Sequence, residues 1–295
     1  MNELIKIPIN PLGLNPILLD FQIPILNLPL QVRWYGLMYL TGYVVGFFLL
    51  KKLSKELFCK LSDKEIDSFI AHLIIGMLIG ARVVYCIVYD FEHWSQNPFS
   101  LFTVWNGGLS FHGAVIGMAA ASYIFARKIH YPFLVITDTL ALAGAPGLFF
   151  GRIGNFINGE LYGRVTDVPW AMMFASGGNV LRHPSMLYEG IGEGILLTAI
   201  LWFVKSKQKY YGIVSGFFIF GYAVIRFGIE FFREPDAQLG FYLNYFTMGQ
   251  ILCLFMMVLS VLFFIFSKKY KIKLPWIELN VEKNIIKKNK KKSRA

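Results

Sequence analysis

Seven stretches of this chain, at about residues 35–53, 69–89, 109–128, 133–150, 187–204, 212–232 and 246–266, are apolar and long enough to cross a bilayer, whose hydrocarbon core takes about 20 residues of helix. Lipid offers the backbone no water to bond, so such segments fold as helices that satisfy their own amides. With 56% hydrophobic and 16% charged residues in 295, a single membrane domain accounts for most of the sequence. The expected fold class is therefore an all-α polytopic membrane protein of about seven transmembrane helices. Three regions follow: an outside, interfacial arm at 1–34, a transmembrane domain at 35–266, and a Lys-rich tail at 267–295. The arm is broken by Pro8, Pro11, Pro16, Pro24 and Pro29 and lacks the basic start and continuous apolar run of a cleaved signal peptide, so the first span is expected to act as the insertion signal.

Charge placement orients these helices. Segments 51–68, 127–132, 205–211 and 267–295 hold 21 of the 29 Lys and Arg, whereas 1–34, 90–108, 151–186 and 233–245 hold six. The two sets alternate along the chain, which places the N-terminus outside and the C-terminus in the cytoplasm. The net charge of +11 thus reflects cytoplasmic loops and the tail "KKNKKKSRA", and no nucleic-acid partner is expected, because no aromatic or motif context accompanies the basic residues. Cys59, Cys86 and Cys253 form neither a disulfide framework nor a zinc spacing, and none falls in an outside loop beside a base.

Against this apolar background "GRIGNFINGELYG", Gly151 to Gly163, is anomalous, with four Gly, two Asn, an Arg and a Glu. Its glycines disfavour regular helix, and irregular backbone at membrane depth is tolerated where it is buried in protein or lines a wet cavity. An irregular outward-facing segment is expected over about 151–186, with a short strand at "PWAMMF" and a polar pocket lined by Arg152, Asn155, Asn158 and Glu160. Tyr222, Arg226 and Glu230 are spaced by four and share one face of the sixth span. Ionisable groups at that depth face a cavity or one another, so an Arg226–Glu230 pair satisfying itself is the plainer alternative.

Other polar residues gather on the same side. "RWYGLMY" brings Tyr35, which an aromatic belt would also supply; "GARVVY" brings Arg82, which either snorkels, pairs with a carboxylate or joins the pocket. "NGGLSFHGAVIG" brings His112 to the outer end of the third span, and its Gly107, Gly108, Gly113 and Gly117 suit close helix packing. In "RHPSMLYEG", His183 and Glu189 are expected to fix the loop as it re-enters the membrane. Two arginines with amides and a tyrosine suit an oxyanion, since the guanidinium fork binds phosphate bidentately. Between lipid-embedded helices that phosphate belongs to a phospholipid headgroup.

"GRIGNFINGELYG" closely resembles the signature of the bacterial phosphatidylglycerol:prolipoprotein diacylglyceryl transferases, and "RWYGLMY", "GGLSFHG", "HPSMLYE" and "RFGIEFFREPDAQ" resemble that family's other blocks in the same order. The resemblance runs from about residue 33 to 250 and implies a multi-pass protein of the bacterial cytoplasmic membrane with its active site near the outer side. It implies transfer of the diacylglyceryl group of phosphatidylglycerol to the lipobox cysteine thiol of a preprolipoprotein, giving a thioether and glycerol 1-phosphate. It implies catalytic roles for Tyr35, His112, Arg152, Asn155, Glu160, Tyr222, Arg226 and Glu230. The headgroup would then contact Arg152, Arg226, Asn155, Asn158, Gly154 and Arg82. Neither metal nor cofactor is expected, as the outside motifs bring together no His and carboxylates at ligand spacing.

His112 is the candidate base for a thiol that is mostly protonated at neutral pH. Other readings fit less well. An intramembrane aspartic peptidase wants two Asp in spans, whereas Asp138 alone lies well inside one; a transporter wants polar groups continuing to the inner side.

Overall fold

A computed structural model describes residues 10–23, 28–56, 58–103, 107–234, 241–242 and 246–274. The tail from 275 onward, with "KKNKKKSRA", lies outside the described residues. In chain order the elements are β1 (Ile17–Ile23), β2 (Leu28–Arg33), α1 (Trp34–Lys55), α2 (Asp63–Val88), α3 (Phe91–Gln96), α4 (Phe111–Lys128), α5 (Phe133–Asn158), α6 (Ser185–Glu189), a π-helical segment (Gly190–Leu196), α7 (Leu197–Lys207), α8 (Ile213–Ile229), β3 (Phe241–Tyr242), β4 (Phe246–Thr247) and α9 (Met248–Tyr270). Among the described residues five helices are long and apolar enough to cross a membrane: Trp34–Lys55, Asp63–Val88, Phe133–Asn158, Ser185–Lys207 and Met248–Tyr270. α4 and α8, at the positions of the third and sixth expected spans, are helices of 18 and 17 residues. The protein is thus a mostly helical, polytopic membrane protein.

The described residues divide into two compact units, one within 50–139 and the other within 10–49 and 140–274, so the division falls within α1 and within α5. In the first, α2 begins with a capping box: the Ser62 N–H donates to the Glu65 carboxylate at 2.7 Å and the Glu65 N–H to the Ser62 hydroxyl at 3.3 Å. This satisfies two amides that the first turn leaves free. α2 then packs on α4 through Gly76 and Gly80 against Gly113 and Gly117. A Cβ on Gly76 would stand 2.6 Å from the Gly117 carbonyl oxygen, and one on Gly80 would stand 2.7 Å from the Gly117 Cα. The helices therefore meet backbone to backbone, as small residues permit in a membrane. Gly108 packs closely as expected, since a Cβ there would stand 2.5 Å from the Tyr85 ring of α2, whereas Gly107 has nothing within 4 Å, and both have a second task. Their φ values of +84° and +75° shape the turn ahead of α4, a conformation that a Cβ disfavours. Below that interface Phe69 stacks on Phe125 at 4.7 Å, and Leu53, Phe58, Cys59 and Ile66 are buried. Burial pushes the Cys59 thiol up to about 11.

In the second unit the arm is a hairpin, β1 antiparallel to β2 from Ile17↔Arg33 to Ile23↔Leu28, with a bulge at Ile17/Leu19. Fully buried Asn10 ties it down, donating to the Leu14 and Ile157 carbonyls, each at 2.7 Å. The end of α1 that follows lies on α5, where a Cβ on Gly42 would meet the Gly147 Cα at 3.3 Å.

The expectation of irregular backbone from residue 151 is corrected: α5 is helical through Gly151 and Gly154 to Asn158. Inside a membrane domain no water competes for the helical hydrogen bonds, so glycine's entropic cost is outweighed and its missing side chain becomes useful. Helix α5 ends only at Gly159, whose φ of +66° turns its N–H back to the Phe156 carbonyl at 3.1 Å. The irregular segment is therefore 159–184. The strand expected at "PWAMMF" reduces to one bridge, Met172↔Arg182, because the loop is pinned instead by Gly163↔Arg233, Val165↔Arg182 and a small core of Phe156, Phe174 and Met186.

Candidate functional site

The second unit draws its charges to the ends of α5, α6 and α8. Glu189 closes α6 and is wholly buried; its carboxylate takes Arg152 Nε at 2.8 Å, Arg226 Nη1 at 2.9 Å and Arg233 Nη1 at 3.3 Å. Four residues on, in the π-helical segment, Glu193 is also wholly buried and lies 3.4 Å from Arg152 Nη2 and 4.0 Å from Arg226 Nε. On α8 the expected helical pair is present, with Arg226 Nη2 2.8 Å from Glu230, whose other oxygen accepts the Thr247 hydroxyl at 2.9 Å. Thr247 caps α9, so this bond ties the capped end of α9 to the cluster. Among the described residues three guanidiniums face three carboxylates, the balance that buried ions need.

Glycine makes this convergence possible. A Cβ on Gly194 would stand 2.6 Å from the Phe149 backbone nitrogen, one on Gly192 2.6 Å from the Ile225 side chain, and one on Gly190 3.3 Å from the Arg152 Cβ. The π-helical segment thus wedges between α5 and α8, presenting Glu189 and Glu193 to an arginine from each. π-helical turns of this kind concentrate where a helix serves a site.

The polar amides form a second group at the end of α5. Glu160 accepts Asn155 Nδ2 at 2.9 Å and Asn158 Nδ2 at 3.1 Å. Across from it Tyr35, at the start of α1, donates to the Tyr39 hydroxyl at 3.1 Å, and a Cβ on Gly154 would press into the Tyr35 ring at 2.9 Å. Gly154 is therefore the residue that lets the tyrosine lie against α5. Tyr35 lies within electrostatic reach of Glu160 and Arg152, and Tyr222 within reach of Arg152, Arg226 and Glu193. Arg152 is the residue common to both groups.

Arg82 and His112 belong to the other unit. Arg82 is buried, and its guanidinium donates to the carbonyls of Ser100, Leu101 at 3.2 Å, Gly107 at 2.7 Å and Gly108 at 2.9 Å, with Thr103 Oγ1 at 3.4 Å. These bonds hold residues 100–103 and 107–108 to α2. His112 stands exposed in the first turn of α4, whose N-cap Ser110 accepts the Gly113 N–H at 3.3 Å.

Reading residue types alone gave Glu189 the task of fixing the loop and missed Glu193 and Arg233 altogether. Glu189 is corrected from loop anchor to the centre of the cluster, because three arginines converge on it. A signal was present: Glu189 and Glu193 are four apart at membrane depth, so they share a helix face in the way that Arg226 and Glu230 do. The loop-fixing role fits His183, which contacts Tyr188 OH at 3.1 Å and Phe232 edge-on at 5.2 Å. Desolvation lowers its pKa below the usual imidazole value.

A family model described as prolipoprotein diacylglyceryl transferase matches residues 23–266, which contain both groups. Three relatives are each named phosphatidylglycerol–prolipoprotein diacylglyceryl transferase. That of Nitratidesulfovibrio vulgaris is 44% identical over 227 residues, 77% of this chain and 86% of its own. That of Idiomarina loihiensis is 45% identical over 241 residues, covering 82% and 90%. That of Geobacter sulfurreducens is 42% identical over 243 residues, covering 82% and 94%. The signature that raised the question in the sequence is the stretch that supplies Arg152, Asn155, Asn158 and Glu160 to one corner of the structure, and the chain carrying it belongs to the prolipoprotein diacylglyceryl transferase family.

Proposed function

We propose that the arginines around Glu189 form the headgroup site of a transferase that moves the diacylglyceryl group of phosphatidylglycerol onto the lipobox cysteine thiol of a preprolipoprotein. The observation that carries this reading is the convergence of Arg152 and Arg226 on one buried carboxylate, within the residues that match the family. In the reaction the substrate thiolate attacks the terminal glycerol carbon of the diacylglyceryl group; a C–S bond forms, a C–O bond breaks and glycerol 1-phosphate leaves. The phosphate changes from a monoanion to a dianion, and fixed guanidiniums aimed at it stabilise the charge as it develops. The nucleophile comes from the substrate, which suits a chain whose Cys59, Cys86 and Cys253 are all buried.

Within this reading Arg152 and Arg226 grip the phosphate. Asn155, Asn158 and Glu160 hold the glycerol hydroxyls beside Gly154 and Tyr35, and Tyr222 and Glu230 keep the arginines in place. Arg82 enters through the turn that it fixes, and His112 is the proposed base on its residue type. The protein crosses the bacterial cytoplasmic membrane seven times, the five long helices being joined by α4 and α8, with an interfacial arm at 1–34, a transmembrane domain at 35–266 and a cytoplasmic tail at 267–295. Basic residues in the last turns of α1, α4, α7 and α9 support that orientation, since cytoplasmic ends carry the Lys and Arg. The arginine cluster then faces outward.

The test is transfer by purified protein in detergent with phosphatidylglycerol and a lipobox peptide, read by mass spectrometry of the peptide together with detection of glycerol phosphate. A diacylglyceryl mass at the thiol, lost in folded Arg152→Ala, is expected; no adduct from folded, lipid-binding protein would overturn the reading.

A further inference from the structure

Glu193 is the least compensated of the three carboxylates of the cluster. It is wholly buried. It has one guanidinium nitrogen at 3.4 Å and another only at 4.0 Å, against the three arginines on Glu189 and the close Arg226 and Thr247 bonds on Glu230. Its Oε1 accepts no hydrogen bond, and where the Glu189 and Glu230 oxygens in that condition each have a guanidinium nitrogen at 2.8 Å, the one beside this oxygen is at 4.0 Å. And it is held in place by a backbone that has no freedom to withdraw it, since Gly192 and Gly194 press on α8 and α5. A buried anion with so little compensation is costly unless its charge has a task.

We propose that Glu193 is the counter-charge that lets the phosphate product leave. The inference rests on the headgroup site proposed above and deepens it. Arg152 and Arg226 must hold a monoanion on arrival and a dianion after transfer, and arginines that stabilise the developing dianion would also retain the product. A fixed carboxylate beside both guanidiniums offsets part of their charge in every state. It weakens the grip most on the species with the greater negative charge, which is the departing glycerol phosphate. Charged or titratable groups within reach of Glu193 are Arg152 from α5, Glu189 from α6, Tyr222 and Arg226 from α8 and Cys253 from α9; Glu230 joins through Arg226.

The experiment is full-length Glu193→Gln, which keeps shape and removes the charge, assayed for transfer with glycerol 1-phosphate and inorganic phosphate as inhibitors. Expected is product inhibition at least about tenfold tighter than wild type, because the variant removes a charge that repels the phosphate in a medium where charges are only partly screened. KM for phosphatidylglycerol falls with it, and kcat falls because release slows. Glu193→Asp, which restores the charge, returns the inhibition constant toward the wild-type value. If the Gln variant does not fold, Glu193→Ala is read in the same way. Inhibition unchanged or weaker in a folded, neutral variant would overturn the inference, because damaged packing loosens ligands and does not tighten them. Wild-type protein that transfers nothing would overturn the proposed function itself, a failure that this series separates from the first.

Discussion

Among the described carboxylates of the cluster Glu189 meets the most guanidiniums, and Glu189→Gln is the substitution that weighs it. The carboxylate is wholly buried and is met by Arg152 at 2.8 Å, Arg226 at 2.9 Å and Arg233 at 3.3 Å. Glutamine keeps the volume, yet it removes the charge and turns one acceptor into a donor that faces a guanidinium. Removing one partner of a buried ion pair costs about 3–5 kcal/mol, because the remaining charge stays buried without its counter-ion. Here the remaining charges are three, and Glu193 and Glu230 compensate only two of them, which places the cost in the upper part of that range. At about 2–4 °C per kcal/mol for a chain of this size class, a cost of about 4–5 kcal/mol lowers Tm by roughly 8–20 °C. Thermal unfolding of the purified protein in detergent, followed by circular dichroism, reads this directly. A Tm within about 2 °C of wild type, on the scale of surface substitutions, would show that the three contacts do not hold the site together and would refute the reasoning.

The other expectations are separate measurements. Arg226→Lys should lower kcat/KM about 10- to 100-fold, because an ammonium cannot bridge Glu189 and Glu230 together as the guanidinium does; near wild-type turnover from folded protein would count against it. Gly80→Val should destabilise by about 1–3 kcal/mol, since a Cβ there meets the Gly117 backbone nitrogen at 2.9 Å and the helices must part; the readout is again Tm. Folded protein should resist a thiol-directed alkylating reagent at pH 8, because all three cysteines are buried and burial pushes the Cys59 thiol up to about 11, leaving little thiolate. Mass spectrometry should find the label only after unfolding. Arg82→Met should leave residues 100–103 and 107–108 without its donors and expose them to limited proteolysis that wild type withstands.

Much of this architecture was legible in the residues because lipid simplifies the problem: apolar length alone locates each helix, and a period of four puts Arg226 beside Glu230. The end of α5 was misread because glycine carries opposite meanings in water and in a membrane. At Gly154 the missing side chain admits Tyr35 and costs the helix nothing that its neighbours do not restore. Glu189 and Glu193 were harder to recognise because their partners are distant in sequence; Arg226 lies 37 residues beyond Glu189 and Arg152 lies 41 before Glu193. Periodicity reports what shares a face of one helix and is silent on which faces meet. The role of Arg82 was hidden for a related reason, as its partners are carbonyl oxygens, which every residue has.

That last arrangement bears on how the protein is made. Arg82 sits on α2, and the carbonyls that satisfy it belong to residues 18 to 26 positions later in the chain. While α2 alone occupies the bilayer its guanidinium has none of those acceptors, a state that lipid penalises. Synthesis must run on to Gly108, at the threshold of α4, before the cation is neutralised by dipoles. The contacts of Arg82 therefore favour insertion of α2 together with α4 as one hairpin, with its cation compensated and the glycine faces closed in the same step.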